Sequence, residues 1–182
     1  MDKNAKDELT RVFLIEQLPD PLTPASTHLQ LFDNYIEDTR LRIRSIRNPY
    51  EKSWTRIMQQ RTRFPDGGSK LDEIYLNDAE YLVFEGLEGR EVRKNRYIHQ
   101  TDGQNVIFDI YLGALWGLKT ATVEFTRDVD LTGYTPTSDM KFELTRHPFF
   151  FGERLVTATF SDVQAEITQL FPVVSPTQQH GN

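Results

Sequence analysis

The feature that most constrains this chain is a two-residue alternation of side-chain character that recurs along most of its length. Arg40-Leu41-Arg42-Ile43-Arg44 alternates without a fault. Val106, Phe108, Ile110 and Leu112 share one parity of a later run, with Asn105, Ile107, Asp109 and Tyr111 on the other. Ala121, Val123 and Phe125 alternate in the same way with Thr120, Thr122, Glu124 and Thr126. Successive side chains of a strand point to opposite faces, so this pattern selects half-buried β-structure over amphipathic helix. Further strands are expected over residues 10–16, 28–36, 54–61, 70–76, 92–99 and 140–145. Turn signals at Arg63-Phe64-Pro65-Asp66-Gly67-Gly68 and Thr101-Asp102-Gly103 join strands closely, which makes the sheet largely antiparallel. Two helices are expected, one opening at Asn77-Asp78-Ala79-Glu80 and running to about Gly86. The other is capped by Ser161, with Val163, Ile167 and Leu170 at helical spacing. The class is α+β.

A chain of 182 residues is long enough for one well-filled core, and the expected division is one domain over residues 1–174 with a disordered tail over 175–182. The polar start, Met1 to Asp7, is expected to fray, and Leu18-Pro19-Asp20-Pro21 reads as a loop rather than a boundary. The net charge of -6 makes the surface repel nucleic acid and anionic membrane, so any anion site has to come from a local basic cluster. There is no cysteine, hence no disulfide, thiolate metal site or cysteine nucleophile. Met1 to Leu9 lacks the apolar centre of a signal peptide, and no apolar run approaches the roughly 20 residues of a membrane span, so the expected location is the cytoplasm. No phosphate-binding, dinucleotide or serine-hydrolase motif is present, and His28, His99, His147 and His180 show no ligand spacing. The run His147-Pro148-Phe149-Phe150-Phe151-Gly152 suits a core plug or an interface, such as a homodimer contact, before a binding patch.

The chemistry is concentrated on the polar strand faces. Arg40, Arg42 and Arg44 fall on one face, spaced roughly 6.5–7 Å apart, a distance that suits adjacent phosphates gripped by guanidinium forks. Lys94 and Arg96 repeat the arrangement, and Arg11 and Arg56 add charge elsewhere. Spacing alone also permits these residues to be a solvated outer face. Glu8, Glu73, Asp109 and Glu124 each lie in or beside a strand, where carboxylates either hold Mg2+ or Mn2+ or form cross-strand ion pairs with the arginines.

The order of the pieces resembles the CYTH superfamily, also called the triphosphate tunnel metalloenzymes. Arg11-Val12-Phe13-Leu14-Ile15, Asn34-Tyr35-Ile36, Leu41-Arg42-Ile43-Arg44 and Glu73-Ile74-Tyr75-Leu76 come first. Val92-Arg93-Lys94-Asn95-Arg96-Tyr97, Phe108-Asp109-Ile110-Tyr111-Leu112-Gly113, Thr122-Val123-Glu124-Phe125, and finally Gly152 with Leu155-Val156-Thr157, follow in family order. The resemblance implies an eight-stranded antiparallel β-barrel, or tunnel, with a few helices packed outside. Arg42, Arg44, Lys94, Arg96 and Arg56 would bind phosphates, and Glu8, Glu73, Asp109 and Glu124 would be the metal-ligand candidates for Mg2+ or Mn2+. The implied activity is hydrolysis of tripolyphosphate or a nucleoside triphosphate. The departures are specific. The E-x-E-x-K of the first strand is reduced to Glu8 with Thr10 and Val12, and the fourth-strand T-x-K lysine gives way to Met58-Gln59-Gln60. Leu71 and Thr122 stand where partners of Glu73 and Glu124 would be. The cationic set is better kept than the acidic one, which favours anion binding over hydrolysis and leaves a metal-free binding module as the alternative.

Overall fold

A computed structural model describes residues 5–7, 9–64, 69–101 and 103–172. Its strands, in chain order, are β1 (Ala5–Asp7), β2 (Thr10–Leu14), β3 (Leu29–Ile36), β4 (Leu41–Asn48), β5 (Ser53–Arg63), β6 (Ser69–Leu76), β7 (Gly89–Thr101), β8 (Gln104–Tyr111), β9 (Lys119–Glu124) and β10 (Phe142–Glu143). The helices are α1 (Asp78–Glu85), α2 (Asp128–Gly133), α3 (Gly152–Leu155) and α4 (Phe160–Leu170). Every expected strand is present. They form one ten-stranded antiparallel sheet in the order β1-β6-β5-β4-β3-β7-β8-β9-β2-β10. Among the described residues no ladder joins β1 to β10, but β1 pairs with β6 at one end of this order and β2 with β9 near the other. Only two residues separate β1 from β2 along the chain, so the two ends of the sheet lie close together. The extra strand at one edge is β1, whose Ala5 pairs with Asp72 where fraying was expected.

The parity of each strand sorts its side chains between two faces. One face carries Phe13, Tyr97, Val106, Phe108, Ala121 and Val123, all fully or nearly fully buried. The proline-rich stretch after β2 and the segment around α2 cover it, contributing Leu18, Leu22, Leu131, Tyr134 and Met140 to the same cluster. The Tyr97 hydroxyl donates to the carbonyl of Pro24 at 3.1 Å, so the polar tip of a buried ring is satisfied by the covering loop. Each large side chain in this layer contributes roughly 1.5–3 kcal/mol by leaving water. A second cluster joins Val92, Tyr111, Leu115 and Leu118 to Leu155 of α3 and Val163 of α4. Phe149 and Phe150 pack against this second cluster, which is the plug role expected of the phenylalanine run.

The helix boundaries follow capping chemistry. Asn77 accepts from the Glu80 amide while the Glu80 carboxylate accepts from the Asn77 amide, a reciprocal box that starts α1 where the sequence indicated. The last helix begins earlier than expected. Thr159, not Ser161, is its cap, because Asp162 stands three residues on and returns the hydrogen bond to the Thr159 amide. No helix among the described residues is long and apolar enough to cross a membrane. Of the expected turns, Pro65, Asp66, Gly67, Gly68 and Asp102 lie outside the described residues, as does the expected tail.

Candidate functional site: a paired basic face with an arginine-lined mouth

The second face of the sheet is charged at its centre. β3 lies between β4 and β7, with Asp33 opposite Arg44 on one side and opposite Val92 on the other. β8 continues the face by placing Asp109 opposite Arg96 and Tyr111 opposite Lys94. Arg44 and Lys94 therefore flank β3 from its two sides near Asp33, while Arg42 and Arg96 lie further apart along the strands. Asp33 is 1% exposed and Asp109 3%, and Arg42, Arg44 and Lys94 are also buried.

Each carboxylate is matched to two cations. Arg44 donates to Asp33 through Nε at 2.6 Å and Nη2 at 2.7 Å, a bidentate fork, and Arg42 Nη1 lies 3.6 Å from the same carboxylate. Arg96 makes the same fork to Asp109 at 2.8 and 2.7 Å, and Lys94 Nζ lies 2.6 Å from Asp109. Burial alone would push both carboxyls up. The opposing pull of Arg44, Arg42 and Lys94 on Asp33, and of Arg96 and Lys94 on Asp109, outweighs burial and holds both well below the usual carboxylate range. Burial also acts on Lys94, bringing its ammonium down to about 8 with help from Arg96 and Arg44 and against the attraction of Asp109. Lys94 sits 5.3 Å from the centroid of the Tyr111 ring, whose hydroxyl is pushed up by burial.

Toward the β3–β4 turn this face opens into a cavity of about 430 Å3. Tyr35, Arg42, Gln59, Arg61, Arg40 and Arg90 line it, with Glu37, Asp38 and Glu153 among the acidic residues at its wall. Gln59 accepts from Arg42 and donates to Glu73, and Tyr35 accepts from Arg42 Nη1 at 3.0 Å. The cavity and the buried cluster share Arg42, with the Asp33–Arg44 pair behind it.

The residues singled out in the sequence are distributed unevenly. Arg42, Arg44, Lys94, Arg96 and Asp109 converge. Arg56 does not. It pairs in register with Ser45 while its neighbour Ile57 pairs with Arg44, so it stands on the opposite face, its guanidinium 4.2 Å from the rings of both Trp54 and Tyr81. Arg40 precedes β4 and is an exposed turn residue at the mouth. Arg11 is bound bidentately by Glu143 on the other face. Among the metal-ligand candidates, Asp109 is occupied by Arg96 and Lys94, and Glu73 is bonded to Gln59. Glu124 is exposed at the end of β9 opposite Thr10, and Glu8 lies outside the described residues. No three His, Cys, Asp or Glu side chains among the described residues gather closely enough to hold a metal ion. Asp33, Tyr35, Gln59 and Arg61 were missed by sequence reasoning. Asp33 could have been found by counting back from the turn at residues 37–40, which sets Asp33 opposite Arg44.

No family description and no curated protein matches the chain. Solved structures do. The hypothetical protein NE1496 superposes with a TM-score of 0.57 at 20% identity, over 84% of this chain and 99% of that one. A second structure, of the inorganic triphosphatase NE1496, gives 0.56 at 20% identity over 82% and 93%. The "putative adenylate cyclase" bh2851 of Bacillus halodurans gives 0.51 at 11% identity over 71% and 86%. Identities of this size carry the fold and nothing beyond it, and the fold is the one the strand order resembles: this chain has the CYTH, or triphosphate tunnel, fold.

Proposed function

We propose that this protein binds a phosphate-rich anion, a triphosphate in the first instance, on the basic face formed by β4 and β7, with the sheet curling around the ligand as a tunnel. The observation that carries the reading is the convergence of buried Arg42, Arg44 and Lys94 and half-buried Arg96 on one face behind an arginine-lined mouth. Four cations stand there against the two carboxylates Asp33 and Asp109. Guanidinium groups held by neighbouring strands present preorganised forks to phosphate oxygens, and a desolvated setting strengthens each contact. That a protein of the same fold is an inorganic triphosphatase supports the choice of ligand.

Metal-dependent phosphohydrolysis is the second reading. It is favoured by the same neighbour and by Glu124, set beside Thr10 of β2 where the family pattern places acidic residues. It needs Mg2+ or Mn2+ held by carboxylates, and the described ones do not form such a set. One experiment separates the readings. Phosphate release from tripolyphosphate and ATP is assayed with Mg2+ or Mn2+, with Glu124→Ala alongside, while binding is followed by thermal shift in EDTA. Binding in EDTA without turnover is the expected result, with stabilisation growing as RT ln(1 + [L]/Kd). Turnover lost in Glu124→Ala establishes the hydrolase, and no stabilisation by any polyphosphate refutes both readings.

A further inference from the structure

The two buried aspartates oppose the very ligand the arginines attract. In a site built only to grip polyanions, carboxylates inside the basic cluster are a handicap unless they hold a metal ion. Asp33 and Asp109 are instead saturated by Arg44, Arg42, Arg96 and Lys94. A phosphate reaching Arg42 or Arg44 meets Asp33, and one reaching Lys94 or Arg96 meets Asp109. The mouth repeats the pattern: Arg90 pairs with Glu37 at 3.1 Å, and Glu153, which pairs with Arg63 at 2.9 Å, lines the same cavity as Arg40 and Arg61.

We infer that Asp33 and Asp109 are built-in counter-anions that set the charge selectivity of the site, limiting how far its affinity rises with the charge of the phosphate ligand. This rests on the anion-binding reading and specifies what that site selects. Charge counting gives the direction. Buried Arg42, Arg44 and Lys94, with half-buried Arg96, stand against two carboxylates, an excess of two positive charges. A metal-free tripolyphosphate brings several charges more than this excess. The surplus is repelled by Asp33 and Asp109, and a low local dielectric strengthens that repulsion. The aspartates also have a structural use, keeping buried guanidinium and ammonium groups paired when no ligand is present. A selectivity role and a purely structural role therefore predict opposite effects on binding when the charge alone is removed.

The test is isothermal titration in EDTA of phosphate, pyrophosphate and tripolyphosphate into the parent, Asp33→Asn, Asp109→Asn and Asp33→Glu. Asparagine keeps the size and can still accept from Arg44 or Arg96, whereas glutamate keeps the charge. Both asparagine variants are expected to melt at a lower temperature without ligand yet to bind tripolyphosphate about tenfold tighter or more, with a smaller gain for phosphate. Asp33→Glu shows no gain. The proposal is overturned if folded asparagine variants bind tripolyphosphate no better than the parent, or if the gain is equal for all three anions. If Asp33→Asn does not fold, Asp109→Asn carries the same comparison. A parent that binds while the variants show no gain removes this inference and leaves anion binding standing. No binding by any of the proteins removes both.

Discussion

The two faces of this sheet solve the same burial problem with opposite chemistry. On one, Phe13, Phe108, Val106, Ala121 and Val123 are covered by loop side chains and need no partner beyond contact. On the other, Arg42, Arg44, Lys94, Asp33 and Asp109 are equally hidden from water and are held only because each charge faces another. Apolar burial is non-directional and tolerates small shifts, whereas buried ion pairs must offset a large desolvation penalty through close geometry. The first face accounts for stability. The second gives a preorganised charge pattern at some expense in stability, which is a reason to look for function there.

The largest effects expected from breaking this comparison are similar in size and differ in what they spare. Phe13→Ala should destabilise the fold by about 3–5 kcal/mol in denaturant titration while leaving anion affinity of the folded fraction unchanged. Arg44→Ala should cost about 3–5 kcal/mol as well, since it strands Asp33, and should also abolish tripolyphosphate binding. Replacing both members, Asp33→Leu with Arg44→Leu, sharpens the contrast: stability returns to within about 1–2 kcal/mol of the parent or exceeds it, but binding does not return. If the double variant is as unstable as Arg44→Ala, the pairing account of this face is wrong.

Acid should act through the charged face. Asp33 and Asp109 titrate lower in the folded than in the unfolded protein, so their contribution to stability is present above the unfolded value of about 4 and is lost as pH falls below it toward the folded values. Asp109→Asn should flatten that acid limb of a stability–pH profile; an unchanged limb would assign it to other groups. The smallest effect is alkaline. Lys94, brought down to about 8, loses its proton as pH rises through that value, so anion affinity should weaken between pH 7 and 9. Sulfate, which does not titrate there, is the suitable probe, and Lys94→Met should remove the dependence.

Much of the fold was legible because its signal is local. Period-two runs set every expected strand, and parity alone predicts that Arg42 and Arg44 share a face, as do Lys94 and Arg96. What parity cannot supply is which face of one strand continues which face of the next. Arg56 was grouped with the phosphate-binding residues by its charge, and the β4–β5 register then set it beside Ser45, among aromatic rings on the other side. Asp33 was passed over for the converse reason, since a lone aspartate among Leu31, Phe32 and Tyr35 gains meaning only once Arg44 is opposite it. The first strand's division was likewise beyond reach, because the short polar sequence of β1 carries little strand propensity.

The most direct test of the account is titration of tripolyphosphate into the parent and Lys94→Met in EDTA. Methionine replaces a buried ammonium by an apolar chain of similar length and leaves Asp109 forked by Arg96, so the fold is retained. Saturable, metal-independent binding by the parent, weakened about tenfold or more in Lys94→Met and by added salt, is the predicted result. Equal binding by the two proteins, or none by the parent, would contradict the claim that this basic face is an anion site.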